Sequence, residues 1–412
     1  MTVQKNAFPV DNKLADGLWN GAFIMLACLP FGMALVHRSG TLLVVITAVL
    51  ALAATIAEGR LGVLLNNMKS KLLSAPGILT LALLLWMLIS LSWTYSLRMA
   101  LFFYGELILS ATAGFVLAMA LPEKMPRWLA PVAAIIAIIA AVFIFADITS
   151  GMYFRQLVGA KAYSFIYNRS VLTLFLVVTP LLFLLWRRGE KSYQVLGSLT
   201  ALITVGTIFN SSSGAAVMAV LLFIPVYVFA RFLPKASLWI AAGCFTFLFA
   251  VAPFYGSMFY EVLPQKIVEV FESDHSMERV DLWRAFEYTI AQQPIIGGGF
   301  AVSPVIINTP EAAAVPVELH GDLNMGHPHN AAMQVWVELG LVGAILALTV
   351  LFAMLRALAA LPSRLVAEQL AWIAGITFVA IIGHGAWQGW WLAAIGAGMA
   401  WFRAERNEAE GG

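Results

Sequence analysis

Apolar runs of about 20 residues, separated by short polar stretches, follow one another along most of this chain. A helix needs roughly 20 mostly apolar residues to cross the hydrocarbon core of a bilayer. The pattern therefore predicts an all-α polytopic membrane protein with about twelve transmembrane helices. The predicted spans lie near residues 17–36, 41–57, 76–93, 99–120, 127–148, 170–186, 194–210, 214–232, 236–254, 332–355, 365–382 and 385–402.

The composition supports this prediction. Of the 412 residues, 61% are hydrophobic and 11% are charged, and the mean hydropathy is +0.87. So few charged residues cannot cover a water-facing surface, which excludes a soluble enzyme. Cys28 and Cys244 lie in apolar runs and suggest no disulfide framework. A net charge of +2 gives no reason to expect a nucleic-acid partner.

The placement of Lys and Arg predicts the orientation of the chain. With the N-terminus inside, sixteen of the 24 Lys and Arg residues lie on the cytoplasmic side and eight lie outside. Because cytoplasmic loops are enriched in these residues, we expect both termini to be cytoplasmic. The first apolar run is interpreted as an uncleaved span, since it carries no convincing small-residue cleavage site.

One long polar segment separates the ninth and tenth predicted spans. It divides the chain into helices 1–9 (1–254), an external loop domain (255–331), and helices 10–12 with a cytoplasmic tail (332–412). The segment holds ten of the 22 acidic residues and four of the six histidines. A loop of this length is uncommon unless it carries a function. Periodicity predicts helices over 263–292, followed by a glycine turn at 297–299 and a strand-poor stretch.

Two clusters in this segment are suited to chemistry. Arg279 and Trp283 are four residues apart, so on a helix they share one face. The second cluster, His327-Pro328-His329-Asn330, lies at the external start of the tenth span. A histidine in such a place titrates near neutrality and can accept a proton.

The same residues also have structural interpretations. Arg279 could form an ion pair with Asp281 or Glu278. His329 could be a surface histidine that caps the tenth helix. Tryptophans near the ends of spans, including Trp387, are expected to anchor the chain at the membrane interface.

The order and spacing of these motifs resemble the O-antigen ligase superfamily, which also includes the O-antigen and exopolysaccharide polymerases. The motifs that carry the resemblance are Arg279-x-x-x-Trp283, Pro294-x-x-Gly297-x-Gly299, His329-Asn330 and Glu338-Leu339-Gly340-x-x-Gly343. They cover the region from about 200 to 350, and the predicted layout with one large external loop extends the resemblance over the chain.

The resemblance implies a GT-C-like glycosyltransferase of the bacterial inner membrane, with its active site facing the periplasm. Such enzymes move a glycan from undecaprenyl pyrophosphate to an acceptor hydroxyl, with inversion at the anomeric carbon and without a metal or other cofactor. For a ligase the acceptor is a sugar of the lipid A core. For a polymerase it is a second lipid-linked glycan, and we expect a ligase slightly more than a polymerase.

General chemistry suggests roles for individual residues in that reaction. A pyrophosphate leaves only if its developing charge is neutralised, and guanidinium groups do this best without a metal. Arg279 is the first candidate for this clamp, and His329 is the candidate general base. Asn330 or the neighbouring backbone would fix the tautomer of His329, and His327 would shape the site. Trp283 could stack on a sugar ring.

The sequence departs from the family in one place. Members of the superfamily commonly carry a second pyrophosphate-binding arginine in a Ser-Arg pair after the seventh span. Here the matching stretch, residues 210–215, reads Asn-Ser-Ser-Ser-Gly-Ala and has no arginine. Either Arg169 or Arg284 supplies the charge, or the phosphate is bound by the hydroxyls and helix amides of Ser211, Ser212 and Ser213. We favour Arg169, because it lies at the external mouth of the sixth span.

Three other interpretations compete with this one. The group His320, Asp322, His327 and His329 could bind zinc, although its spacing matches no standard site. A polysaccharide transporter or flippase would instead place ionisable residues near the bilayer midplane. In a non-catalytic membrane scaffold, the histidine cluster would have no catalytic role.

Overall fold

A computed structural model describes residues 12–122, 125–262 and 277–410. The described residues form helices and turns and contain no strand. In chain order the α-helices are α1 (Lys13–Leu35), α2 (Gly40–Ala57), α3 (Leu61–Leu72), α4 (Ala75–Ser90), α5 (Leu97–Ala120), α6 (Leu129–Thr149), α7 (Tyr153–Leu157), α8 (Asn168–Arg187), α9 (Lys191–Asn210), α10 (Gly214–Phe232), α11 (Pro234–Val251), α12 (Tyr255–Val262), α13 (Met277–Gln292), α14 (Ala331–Leu358), α15 (Ser363–Ile382) and α16 (Gly389–Glu410).

Each of the twelve predicted spans coincides with a helix, which confirms the all-α prediction and is compatible with a polytopic membrane protein. Among the described residues, ten helices are long and apolar enough to cross a membrane, or eleven if the bent pair α3 and α4 counts as one span. The uncharged part of α16 is short: it runs from Gly389 to Phe402 and ends before Arg403. This helix is not among those long and apolar enough to cross a membrane. The count of twelve and the GT-C-like arrangement therefore remain predictions.

The third predicted span differs from the sequence expectation. It corresponds to α4, which is preceded by the short polar helix α3 at an angle of 77°. The side chain of Ser74 accepts a hydrogen bond from the backbone N–H of Gly77 and so caps α4, and Pro76 occupies its first turn. Serine caps and first-turn prolines both start helices, so the chain turns here and begins a new one.

By their contacts the residues fall into two compact units. Unit 1 comprises Met1–Ser70, Ile108–Ala216 and Gly389–Gly412, and unit 2 comprises Lys71–Leu107 and Val217–Gln388. In unit 1, α8 packs against α1, α6, α9 and α16, and nearly all its side chains are buried. Unit 2 contains most of the external segment and the tenth predicted span. The division at 254 and 331 describes the order of the chain and stays a prediction.

Within the described residues, the part of the external segment that was predicted to be helical is helical. Helix α13 confirms the second half of the helical prediction for 263–292, whereas residues 263–276 lie outside the described residues. After the glycine turn come short 3-10 helices at Ser303–Asn308, Pro310–Ala314, Val317–Leu319 and Asp322–Met325. Leu282, Phe286 and Met333 are buried in the apolar core that joins α13 to the first turns of α14.

The glycine motifs lie against each other along the backbone. Helix α14 is interrupted at Gly340, whose φ of 63° and ψ of −161° are not helical. The N–H of Gly298 donates to the carbonyl of Val337 at 2.8 Å, and the N–H of Leu341 donates to that of Pro294 at 2.9 Å. A Cβ atom on Gly297 or Gly340 would overlap the opposing backbone. Because both glycines have positive φ, a larger residue there would also be strained.

Candidate functional site

His329 lies in the turn that leads into α14, and its backbone is held in an uncommon conformation. Its φ is 50°, in the left-handed region that few residues other than glycine adopt. The next residue, Asn330, caps α14, because its side-chain oxygen accepts the backbone N–H of Met333 at 3.0 Å. The cap fixes where the helix begins and therefore where the imidazole stands.

A backbone carbonyl fixes the tautomer of His329. Nδ1 of the ring lies 3.2 Å from the carbonyl oxygen of Gly383, in the loop between α15 and α16. A carbonyl oxygen only accepts hydrogen bonds, so Nδ1 carries the proton. In the neutral ring Nε2 then has a free lone pair, as a general base requires. From the sequence, Asn330 or the neighbouring backbone was predicted to fix the tautomer; the acceptor in the structure is a carbonyl 54 residues away.

The surroundings of His329 favour its neutral form. Burial lowers the pKa of its imidazole below the ordinary value. The hydrogen bond to Gly383 opposes this shift, because the protonated ring also donates to the carbonyl, and the charge of Arg279 lowers the pKa further. Arg279 and His329 are therefore close enough to interact electrostatically.

The neighbouring histidine contacts His329 directly. The ring centroids of His327 and His329 are 4.1 Å apart. The backbone N–H of His329 donates to Nδ1 of His327 at 3.2 Å, so the proton of the neutral His327 ring is on Nε2. Gly385 leaves little space beside the His327 ring, because a Cβ atom at that position would lie 3.4 Å from its Cγ. His327 thus packs between its own loop and the one that follows α15.

Asn330 carries an unused donor in the same place. The residue is fully buried, and its side-chain nitrogen has no hydrogen-bond partner among the described residues. Buried donors are nearly always paired. The amide of Asn330 is thus a buried donor beside His329 that no described residue pairs.

Trp283 supports the histidine loop from α13. Its indole N–H donates to the carbonyl of Pro328 at 2.9 Å. The ring is 8% exposed and lies against Tyr255 and Phe259. With both aromatic neighbours in place, little of the indole face is left for the sugar stacking predicted from the sequence.

Arg279 and Arg284 have different surroundings, although both are on α13. Arg279 is exposed and forms no ion pair with any residue that the structure describes. Asp281, which the sequence offered as its partner, lies 3.4 Å from Arg284 instead. The guanidinium of Arg284 also lies 4.4 Å from the ring centre of Tyr260. Of the two, Arg279 is therefore better suited to clamp a substrate phosphate.

Unit 1 has its own basic cluster near the start of α8. The guanidinium of Arg169 lies 5.5 Å from the ring centre of Trp390. Burial lowers the pKa of His37 in the preceding loop, and the charges of Arg169, Arg38 and Arg155 lower it further. Three arginines are thus within electrostatic range of one histidine, which makes this end of unit 1 attractive to anions.

The serines before α10 mainly serve the backbone. The hydroxyl of Ser211 donates to the carbonyl of Ile208 at 2.7 Å, and that of Ser213 accepts the N–H of Ala216 at 3.3 Å. Ser212 is more exposed and donates to the side chain of Asn168 at 3.2 Å. Two of the three hydroxyls are therefore engaged in ending α9 and starting α10.

The structure does not bring the residues of the zinc interpretation together as a metal site. Among the described residues, no three His, Cys, Asp or Glu side chains are close enough to hold a metal ion. His320 instead has Nε2 2.9 Å from the carbonyl of Val315. The pKa of Asp322 is raised by burial and by the nearby carboxylates of Asp281 and Glu278.

Two contributors to this site were missed at the level of sequence. Gly383 acts through a backbone carbonyl, which no side-chain pattern reveals. Trp387 was expected to be an interfacial anchor, but its indole N–H donates to Glu338 at 2.9 Å. Glu338 itself gave a signal, since a carboxylate inside an apolar span is costly to bury and often has a function.

Comparison with known proteins agrees with the resemblance to the O-antigen ligase superfamily that the sequence motifs indicate. The O-antigen ligase family matches residues 199–348, which include α10, α11, the histidine loop and the first half of α14. A protein of Rickettsia felis named "Putative polysaccharide ligase" is 27% identical over 155 residues, which is 35% of this chain and 38% of the relative. A protein of Rickettsia bellii with the same name is 25% identical over 178 residues, 41% of each chain.

The matches cover part of each protein. The chain spans about two fifths of the length of these curated relatives. No solved structure matches the chain. The matches support the resemblance to the O-antigen ligase superfamily, and the matched region contains Arg279 and His329.

Proposed function

We propose that this protein is an inverting membrane glycosyltransferase that joins an O-antigen glycan to a sugar of the lipid A core. The donor is the glycan on undecaprenyl pyrophosphate, and the reaction takes place on the periplasmic face of the inner membrane. The match to the O-antigen ligase family supports a ligase-type transfer of glycans. The observation that carries the proposal is the pairing of Nδ1 of His329 with the Gly383 carbonyl, which leaves Nε2 able to accept a proton.

In the proposed reaction the acceptor hydroxyl attacks the anomeric carbon of the donor. Its oxygen forms the new glycosidic bond while the bond from that carbon to the phosphate oxygen breaks. Nε2 of His329 takes the hydroxyl proton and later returns it to solvent. The electron pair of the broken bond leaves with undecaprenyl pyrophosphate, whose added charge needs a cation.

Arg279 supplies that cation in the proposal. A guanidinium stays charged at any physiological pH and can bind two phosphate oxygens at once. Arg279 is exposed at the start of α13, and its charge lowers the pKa of His329. A guanidinium in this place is suited to bind a diphosphate next to the general base. His327 would shape the substrate-binding site, and Asn330 would act through its cap on α14, which sets the start of the helix beside His329.

Arg169 remains the residue that we predict to supply the charge of the missing family arginine. The support is the basic character of its surroundings in unit 1. Arg284 is less suited to bind phosphate, because its guanidinium already contacts Asp281 and the ring of Tyr260.

The proposal is tested by complementing a deletion strain with His329→Ala. We expect no attached glycan on the lipid A core, because the acceptor hydroxyl is no longer deprotonated. His320→Ala is the matched control, since this histidine belongs to the same external segment and bonds to a backbone carbonyl. Normal glycan attachment by an inserted His329→Ala protein would contradict the proposal.

The product that accumulates in the deletion strain separates the two related activities. Full-length glycans left on the lipid carrier would indicate a ligase. Single repeat units on the carrier would indicate a polymerase, which extends lipid-linked glycans.

A further inference from the structure

Glu338 is a fully buried carboxylate in α14 whose surroundings consist of hydrogen-bond donors. Its Oε1 accepts the hydroxyl of Ser303 at 2.6 Å and the side-chain amide of Gln334 at 2.8 Å. Its Oε2 accepts the N–H of Ala301 at 2.7 Å and the indole N–H of Trp387 at 2.9 Å. Four donors and no acceptor match an ionised carboxylate.

These four contacts make Glu338 unsuited to react with a substrate. The residue has no exposed surface, and each oxygen already accepts two hydrogen bonds. A buried charge is costly unless it is fully paired. The complete set of donors therefore indicates that the carboxylate holds other segments in place.

One of those segments is the loop between α15 and α16. Trp387 reaches Glu338 directly. Gln334 adds a second link, because its side-chain oxygen accepts the backbone N–H of Ala386 at 2.8 Å. Gly383, at the beginning of the same loop, provides the carbonyl that pairs with His329.

We propose that Glu338 is a positioning residue for His329: through Trp387 and Gln334 it holds the loop whose Gly383 carbonyl keeps the proton of His329 on Nδ1. This inference rests on the proposed function of His329 as general base. Ala301 and Ser303 bind the same carboxylate from the segment after the glycine turn, so they complete its pairing without touching the loop.

Loss of this contact would have a specific consequence for the base. Without a fixed acceptor at Nδ1, the neutral imidazole divides between two tautomers, and only one has its lone pair on Nε2. The bond to Gly383 also raises the pKa of His329. If the loop moves, the pKa falls further, and the acid limb of the rate profile moves to lower pH.

The test measures pH–rate profiles for purified protein in lipid vesicles with the lipid-linked donor and the acceptor. Glu338→Gln has the same size but replaces one acceptor oxygen with a donor. We expect kcat to fall by about 10- to 100-fold. This is the range known for groups that orient a metal-binding histidine through a hydrogen bond to its second ring nitrogen. The acid limb should move to lower pH with little change in KM.

Trp387→Phe removes one donor from the loop side alone. We expect a loss of about 3- to 10-fold, as for one hydrogen bond, and the same direction of shift in the acid limb. Ser303→Ala removes a donor from the other side and should leave the acid limb where it is. Glu368→Gln is a second control, because Glu368 is equally buried in α15 and has an ion pair with Arg364.

An unmoved acid limb in both Glu338→Gln and Trp387→Phe would overturn the inference, and so would an equal shift in Ser303→Ala. If Glu338→Gln does not insert into the membrane, Trp387→Phe and Ser303→Ala provide the same comparison. An active His329→Ala would instead contradict the proposed function. If His329→Ala is inactive but the acid limb does not move in Glu338→Gln and Trp387→Phe, only the positioning role of Glu338 is contradicted.

Discussion

Two helix starts carry most of the predicted site residues, and they are stabilised in different ways. At the start of α14, the histidine loop is held by groups distant in sequence, Trp283 and Gly383. At the start of α10, Ser211 and Ser213 bond to backbone groups three residues away. The first arrangement requires the tertiary structure, whereas the second is a local helix cap.

The difference corresponds to what each region has to do. A general base must point one nitrogen at one proton, so its orientation has to be fixed from several sides. The hydroxyls of Ser211 and Ser213 pair with backbone groups at the ends of α9 and α10, so they do not orient a reacting group. We therefore expect activity to depend strongly on the contacts around His329 and weakly on the serines before α10.

Substitution of Arg279 should cause a larger loss of activity than substitution of Arg169, Trp283 or Ser213. Arg279→Gln removes the proposed clamp, and we expect a loss of about 100- to 1,000-fold in kcat, as for other groups that stabilise developing charge. Arg279→Lys keeps the charge but not the paired donors and should retain part of the activity. A measurement of kcat for both variants in vesicles checks this, and wild-type activity in Arg279→Gln would contradict it.

Arg169 should have a smaller effect. Arg169→Gln removes one cation from a cluster that retains Arg38 and Arg155. We expect about a 10-fold loss in kcat/KM, the equivalent of roughly 1.4 kcal/mol of transition-state stabilisation. Steady-state kinetics with the lipid-linked donor measure it. Arg60→Gln is the control, because Arg60 is an exposed cation paired with Glu58; an equal loss there would remove the special role of Arg169.

Trp283→Phe tests whether the indole positions the histidine loop. The substitution keeps an aromatic ring in the core but removes the hydrogen bond to Pro328. We expect a few-fold loss in kcat, in line with about 1 kcal/mol for one hydrogen bond, and little change in KM. A large rise in KM with unchanged kcat would instead indicate that Trp283 binds the sugar, as the sequence first suggested.

Ser213→Ala should give the smallest effect on activity. The hydroxyl caps α10, and the loss of such a cap costs about 1 kcal/mol of stability. Thermal unfolding of the detergent-solubilised protein should show the lower stability, while glycan transfer stays within about 2-fold of wild type. A large loss of glycan transfer at unchanged stability would contradict this prediction and indicate that Ser213 binds the phosphate.

The positions of the helices could be predicted from the sequence because apolar length is a local property. The twelve predicted spans all coincide with helices, and the motif containing His329 and Asn330 lies at a helix start, as expected. The interruption of α14 at Gly340 was not predicted, because a single glycine is tolerated in an apolar helix. Its cause is the backbone of residues 294–299, which lies about 40 residues earlier in the chain.

The inner arrangement of the site could not be predicted for a similar reason. The carbonyl of Gly383 and the carboxylate of Glu338 act through contacts across 54 and up to 49 residues. The sequence could not show which of Arg279 and Arg284 forms an ion pair, since both are arginines on one helix near the same acidic residues. The structure distinguishes them by the partners of Arg284.

The most direct test of His329 as a base beside Arg279 is the pH dependence of kcat in wild type and Arg279→Gln. Burial and the charge of Arg279 lower the pKa of His329, so the wild-type rate should fall at a pH below the ordinary histidine value of about 6.5. Removal of the charge should move this acid limb to higher pH. An acid limb at the same pH in both proteins would contradict a shared site for the two residues.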